Sequence, residues 1–234
     1  MLTQALTRAA TNREPGSLAL NMRRARFEIF EQMVLDVLPT TVSGQARILD
    51  LGGTALYWQQ MGVADDELYD ITTLNKREPD PDKQHPRIMS EVGDATDVTL
   101  PDNSFDIVFS NSVIEHVGGI EAKQKMANEI RRLAPYYYVQ TPARSFPVEP
   151  HFRSLLVHPG LPHAVRAKEI QRIRHVSPEE ANRILASAQL LGSRAFQNLF
   201  PDAEHLRERF LGLTKSYVAI RRPQSNANLH YIGD

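Results

Sequence analysis

Residues Arg47 to Trp58 read RILDLGGTALYW. The apolar run from Ile48 to Leu51 is interrupted by an acid, Asp50, and stops at two glycines, Gly52 and Gly53, ahead of a segment able to start a helix. A buried strand that runs into a glycine turn and then a helix opens an α/β unit, and such a turn lets main chain approach a nucleotide-like ligand.

The same alternation recurs on both sides. Upstream, Phe27, Phe30, Val34 and Val37 or Leu38 fall on one helical face, and Pro39 stops the helix. Downstream, ELYDITTLN, RIMSEVGDA, FDIVFSNS and YYYVQTP are short runs rich in β-branched and aromatic residues, and ARILDLGG is a fifth predicted strand beside them. EAKQKMANEIRRLAP lies between the last two and sets Ala122, Met126, Ile130 and Leu133 on one face before Pro135 ends it. Strands that alternate with helices predict a parallel sheet covered on both faces. SPEEANRIL starts a further helix, with Ser177 as N-cap and Glu180 completing a capping box, and the helix is expected to run toward Gly192. HLRERF and SYVAIR are strand-like and joined by LGLTK, too tight for a helical crossover, so this pair is antiparallel. Tyr136, Tyr137 and Tyr138 alternate as a strand does and are assigned to the core.

Composition bounds the function. The 234 residues are 41% hydrophobic and 24% charged, which suits one domain with a sizeable core. No apolar run approaches the roughly 18–20 residues needed to span a bilayer, and residues 1–16 lack a secretory-type apolar core, so a soluble, cytoplasmic protein with no membrane partner is expected. There is no cysteine, hence no disulfide, no thiolate nucleophile and no cysteine-based zinc site. A formal net charge of -1 argues against a nucleic-acid partner, which needs a strongly basic face. The charge is uneven: residues 63–106 hold twelve acids against four bases, whereas 121–175 hold ten Lys and Arg against four acids.

The order ILDLGG, VGDATDV and PDNSFDIVFSNSVIEHV resembles the class I S-adenosylmethionine-dependent methyltransferases, over about residues 46–222. The resemblance implies a Rossmann-like, seven-stranded, mostly parallel α/β sheet closed by the antiparallel hairpin, with helices on both faces. It implies S-adenosylmethionine as cofactor and a small-molecule acceptor. The division expected is a helical extension at 1–45, whose helix at 17–38 lies over the pocket as a lid, the catalytic domain at 46–222, and a tail at 223–234. Gly52, with Gly53, lets the backbone turn toward the methionine part of the cofactor, and Asp50 holds the turn or the ammonium. Thr54 and Leu56 stand where the family pattern has two further glycines. Asn75 takes the place of the acid that binds the ribose hydroxyls; a carboxylate in its place is expected to bind the ribose more tightly. Asp94 accepts from the adenine amine, or is simply a turn aspartate, and Ala95 leaves room for the ring. Asn111 and Ser112 touch the amino-acid end.

Glu115 and His116 follow the fourth strand, where the transferred methyl is expected, and are candidates for acid–base work beside His151; structural roles are the alternative for each. A metal is not expected, because the position that would complete a Glu–His ligand set is Ser112. Glu149, Arg144 and Arg153 lie on the segment after the fifth strand and are candidates for binding an acceptor that is anionic, methylated at oxygen. Tyr57 and Trp58 either wall the cofactor or pack under the first helix. Two alternatives stand beside methyl transfer: a non-catalytic, methyltransferase-like binding module, and an enzyme that cyclises the cofactor.

Overall fold

The computed structural model describes residues 18–148, 152 and 154–223. Helix α1 (Leu18–Val37) leads into strand β1 (Ala46–Leu51), helix α2 (Ala55–Met61), strands β2 (Tyr69–Asn75), β3 (Ile88–Val92) and β4 (Ile107–Asn111), helix α3 (Ile120–Leu133) and strand β5 (Tyr136–Pro142). Helices α4 (His163–Arg174), α5 (Pro178–Ala186) and α6 (Ser193–Leu199) follow, and strands β6 (Glu204–Phe210) and β7 (Leu213–Arg221) form the closing hairpin. The sheet order is β3-β2-β1-β4-β5-β7-β6. Pairs among β1 to β5 are parallel, and β7 runs antiparallel to both β5 and β6.

Period-two alternation sorts the strand residues onto two cores. One face packs Leu49, Leu51, Val108, Tyr137 and Val139 against Met126 and Ile130 of α3 and Phe196 and Leu199 of α6. The other packs Ile48, Ile71, Phe109, Tyr138, Val218 and Ile220 against α1 and Trp58. Tyr137 and Tyr138 are thus core, as their alternation predicts.

The helix expected as a lid forms a wall of this second core. Phe30, Met33, Val34 and Val37 are fully buried. Each such burial stabilises by about 1.5–3 kcal/mol. Phe30 lies 4.8 Å from the Phe109 ring, and Phe109 stacks on Tyr138 at 5.3 Å. The capping box is present, Ser177 accepting from the Glu180 N–H, but α5 ends at Ala186 rather than near Gly192. With α4 and the turn at Leu155–Val157, α5 builds a satellite core of Val157, Ala167, Ile170, Ala181 and Leu185.

Candidate functional site at the carboxyl edge of the sheet

The register places a row of polar residues where the parallel strands end. Asp50 on β1 lies opposite Phe109 on β4; two residues on, Asn111 lies opposite Gln140 on β5. Gln140 lies opposite Val218 on β7, and two residues away Ser216 lies opposite both Pro142 of β5 and Glu208 of β6. Because Phe109 and Val218 belong to the core against α1, alternation sets Asn111, Gln140, Ser216 and Glu208 on that same face. In open α/β sheets, ligands bind outside this edge.

Asp50 is the most unusual member. It is 1% exposed; Oδ2 accepts from Trp58 Nε1 at 2.8 Å, and Oδ1 has no hydrogen-bond partner among the described residues. Burial pushes its carboxyl up to about 7, the indole hydrogen bond opposing the rise. The turn above it is closely fitted. Gly52 has φ +81°, and a Cβ there would lie 2.6 Å from a Val113 methyl; a Cβ on Gly53 would lie 1.6 Å from Asp50 Oδ2. Glycine is therefore required at both positions by contacts within the protein. Trp58 is fully buried and stacked edge-on to Phe27 and Phe30, so it packs under α1 rather than walling a ligand.

Asn75 sits at the end of β2 beside this turn, its Nδ2 donating to Gly53 O at 2.7 Å. Asp94 is a turn aspartate: Oδ1 accepts from Thr96 N at 2.9 Å and Thr96 Oγ1 at 2.8 Å, and Oδ2 pairs with Lys76 at 2.9 Å. The Thr96 hydrogen bonds first, and Lys76 with them, hold its carboxyl down at about 2. Its neighbour Ala95 is buried. Ser112 adopts φ +60° just past β4 and donates from Oγ to Gln140 Oε1 at 2.8 Å.

Glu115 and His116 diverge. Glu115 is fully buried and accepts from Thr141 Oγ1 at 3.0 Å, while its carbonyl accepts from Gln189 N at 2.8 Å. Its carboxylate ties the loop after β4 to β5. His116 is exposed, with Nδ1 3.0 Å from Ser187 O. A carbonyl only accepts, so in the neutral ring this hydrogen bond requires the proton on Nδ1, the tautomer whose Nε2 can act as a base. Arg144 is exposed and its main chain is held by Leu191 O at 3.1 Å. Glu149, His151 and Arg153 lie outside the described residues. Among the described residues no group of three His, Asp or Glu side chains is placed to hold a metal, and no helix is long and apolar enough to cross a membrane.

Sequence reasoning missed Lys123, buried in α3, whose ammonium donates to Gly118 O; burial lowers its pKa and the nearby Glu115 carboxylate opposes this. It also missed Arg26, Glu208 and Lys215. The signal was present for Glu208, which shares strand phase with the inward-facing Leu206, and a carboxylate at an inward position needs a partner.

Residues 49–135 match the family model described as a methyltransferase domain. No curated protein matches the chain by sequence. Among solved structures the chain is similar to a SAM-dependent methyltransferase from Methanosarcina mazei, with 15% identity, 75% of this chain and 91% of that one covered, and a TM-score of 0.44. It is similar also to one from Aquifex aeolicus, with 14% identity, 75% and 80% covered, and a TM-score of 0.44. A third is phosphoethanolamine N-methyltransferase 2 from Haemonchus contortus, with 15% identity, 70% and 35% covered, and a TM-score of 0.46. The sheet order, with β1 to β5 parallel and an antiparallel hairpin at the edge, gives the molecule a Rossmann-like fold, and the methyltransferase-domain match lies over residues 49–135 of it. The match to a methyltransferase domain makes S-adenosylmethionine the cofactor to test against the residues present.

The residues present fit that cofactor. The Asp50 carboxylate oxygen, buried without a donor, calls for one, and the cofactor's ammonium is such a donor. Asn75 and Asn111 lie at the ends of β2 and β4, on the same edge.

Proposed function

We propose that the protein transfers a methyl group from S-adenosylmethionine to a small-molecule acceptor, at an oxygen atom, and that the acceptor carries negative charge. The observation that carries this reading is the buried Asp50 carboxylate beneath the Gly52–Gly53 turn, with an oxygen that has no hydrogen-bond partner among the described residues, at the sheet edge where open α/β folds bind ligands. The bound cofactor supplies an electrophilic methyl on a sulfonium; the rest is positioning. Asp50, Gly52, Gly53, Asn75, Ala95, Asn111 and Ser112 are the proposed cofactor residues. Asp94 enters only by giving up its pair with Lys76. His116, through Nε2, is the proposed base that takes the proton from an acceptor hydroxyl. Exposed Arg144 is proposed to steer the acceptor, with Glu149, His151 and Arg153 as proposed partners on the same segment.

A second reading, a binding module without catalysis, is favoured by one feature. Asn75 spends its amide hydrogen bond on Gly53 O within the turn, where a carboxylate would face outward to a diol. Calorimetry with S-adenosylmethionine and S-adenosylhomocysteine comes first. Incubation with the cofactor and a pool of hydroxylated metabolic acids follows, with mass analysis for S-adenosylhomocysteine and an acceptor heavier by one methylene. Binding with turnover supports the proposal, and binding without any turnover supports the module. Release of methylthioadenosine would instead mean cyclisation of the cofactor.

A further inference from the structure

Where α1 crosses the start of β7, charge is buried in a way that packing alone does not explain. Lys215 has a side chain only 16% exposed, and its main-chain carbonyl accepts from Ala143 N, so it borders the segment that leaves β5. Among the described residues the ammonium has one hydrogen-bond partner, the thioether sulfur of Met22 at 3.3 Å, a weak acceptor. Glu208 Oε1 is 3.8 Å away, beyond hydrogen-bond reach, and has no hydrogen-bond partner of its own. The other Glu208 oxygen is already taken by Arg26 Nη1 at 2.8 Å and Ser216 Oγ at 2.6 Å.

Arg26 and Lys215 thus share one carboxylate. Arg23 and Arg26, about one turn apart on α1, both act electrostatically on Lys215 and on Tyr57, and Tyr57 also feels Asp50. Burial lowers the Lys215 pKa, Glu208 opposes this, and the two arginines lower it further. A buried ammonium without an anionic hydrogen-bond partner is costly, and two cations that share one carboxylate beside a ligand edge favour a further anion. A mere clamp between α1 and the hairpin would be complete with Arg26, Glu208 and Ser216 and has no use for Lys215.

We propose that Lys215, with Arg26 and Arg23 beside it, receives a carboxylate or phosphate group carried by the acceptor. The proposal rests on the methyltransferase reading for the word acceptor, while the oxyanion site itself is defined by Lys215, Glu208 and the two arginines. It places the group that receives the anion on β7 and α1, inside the fold, behind the exposed Arg144 that steers the acceptor.

The test uses the full chain with 13C-labelled lysine, the Lys215 side-chain resonance being identified by its loss in Lys215→Met. Inorganic phosphate and acetate are titrated separately, which distinguishes a phosphate site from a carboxylate site. Saturable movement of the Lys215 resonance by either anion is expected. Lys215→Met, close in length and able to pack on Met22, is expected to weaken binding of that anion at least tenfold by calorimetry, and Lys215→Arg to retain it. S-adenosylhomocysteine affinity is expected to be the same in all three proteins. No saturable shift with either anion, or equal anion affinity in folded Lys215→Met, would overturn the site. Failure of every protein to bind S-adenosylhomocysteine would count against the methyltransferase reading alone, since the anion titrations do not depend on it.

Discussion

Trp58 Nε1 donates to Asp50 Oδ2 at 2.8 Å, and the second oxygen of the same carboxylate is buried with no donor among the described residues. The chain's one tryptophan is thus a direct reporter of its most perturbed acid. In the unfolded chain the carboxyl ionises at its ordinary value of 3.8, and in the folded protein at about 7. Between those values the native state holds a proton that the unfolded state has lost, so stability falls as pH rises through this window. The penalty is absent below the lower value and fully developed above the upper one. Its upper bound is about 4 kcal/mol, from three pKa units at ~1.4 kcal/mol each. Urea unfolding followed by tryptophan fluorescence between pH 5 and 8.5 measures it. Asp50→Asn is expected to flatten the slope; an unchanged slope in the variant would assign it to another group.

The contact between residues 50 and 53 is tight enough to be measured as a coupling. An alanine Cβ at position 53 would meet the Asp50 carboxylate at 1.6 Å, so the acid or the turn must move. Gly53→Ala is expected to cost about 1–3 kcal/mol, the range for overpacking. In the Asp50→Ala background the same change should cost about 1 kcal/mol less or better, since the collision is gone. Additive effects in the double-mutant cycle would mean that Gly53 is required for some other reason.

For Asn75→Asp the structure reverses what the sequence suggests. The amide nitrogen donates to Gly53 O at 2.7 Å, and a carboxylate there would set two acceptors face to face. The loss of the hydrogen bond is expected to cost about 1–3 kcal/mol of stability, and cofactor affinity should fall with it. Calorimetry that found tighter cofactor binding would restore the carboxylate–ribose account.

Much of the basic segment that the charge pattern singles out serves the fold. Arg132 on α3 donates to Leu100 O, Val98 O and Asp102 Oδ1, each at 2.8 Å, and pairs with Glu129 at 2.6 Å. It ties the segment before β4 to α3. Arg132→Ala is expected to cost about 2 kcal/mol by chemical denaturation, and Arg132→Lys to recover less than half, because an ammonium lacks the planar fork. Full recovery with lysine would reduce the interaction to simple charge.

Most of the fold was legible because its signals are local. The apolar runs at 46–51, 107–111 and 136–142 and the capping box at Ser177 each declare an element without help from distant residues. The match over 49–135 covers the same turn and strand on which the sequence reading rested. The site was legible only by position. Nothing in the spacing of Asp50 and Trp58, Glu115 and Thr141, or Met22 and Lys215 announces that these side chains meet; the pairs exist only once strands are in register and α1 is laid on the sheet. For the same reason a Glu–His dipeptide read as one catalytic pair divides into a buried anchor and an exposed ring. Burial is a property of the assembled sheet and has no sequence period at a loop.

Arg26 of the first described helix is joined to Glu208 across 182 positions of chain, and Asp36 near the end of the same helix lies 3.5 Å from Arg222, just past the last strand. During synthesis α1 emerges before the hairpin of β6 and β7, and its charged groups wait for that hairpin. A nascent chain arrested before residue 204 would hold Arg26 and Asp36 against the sheet without their counter-charges. The strands synthesised later are in this sense the ones that fasten the first described helix.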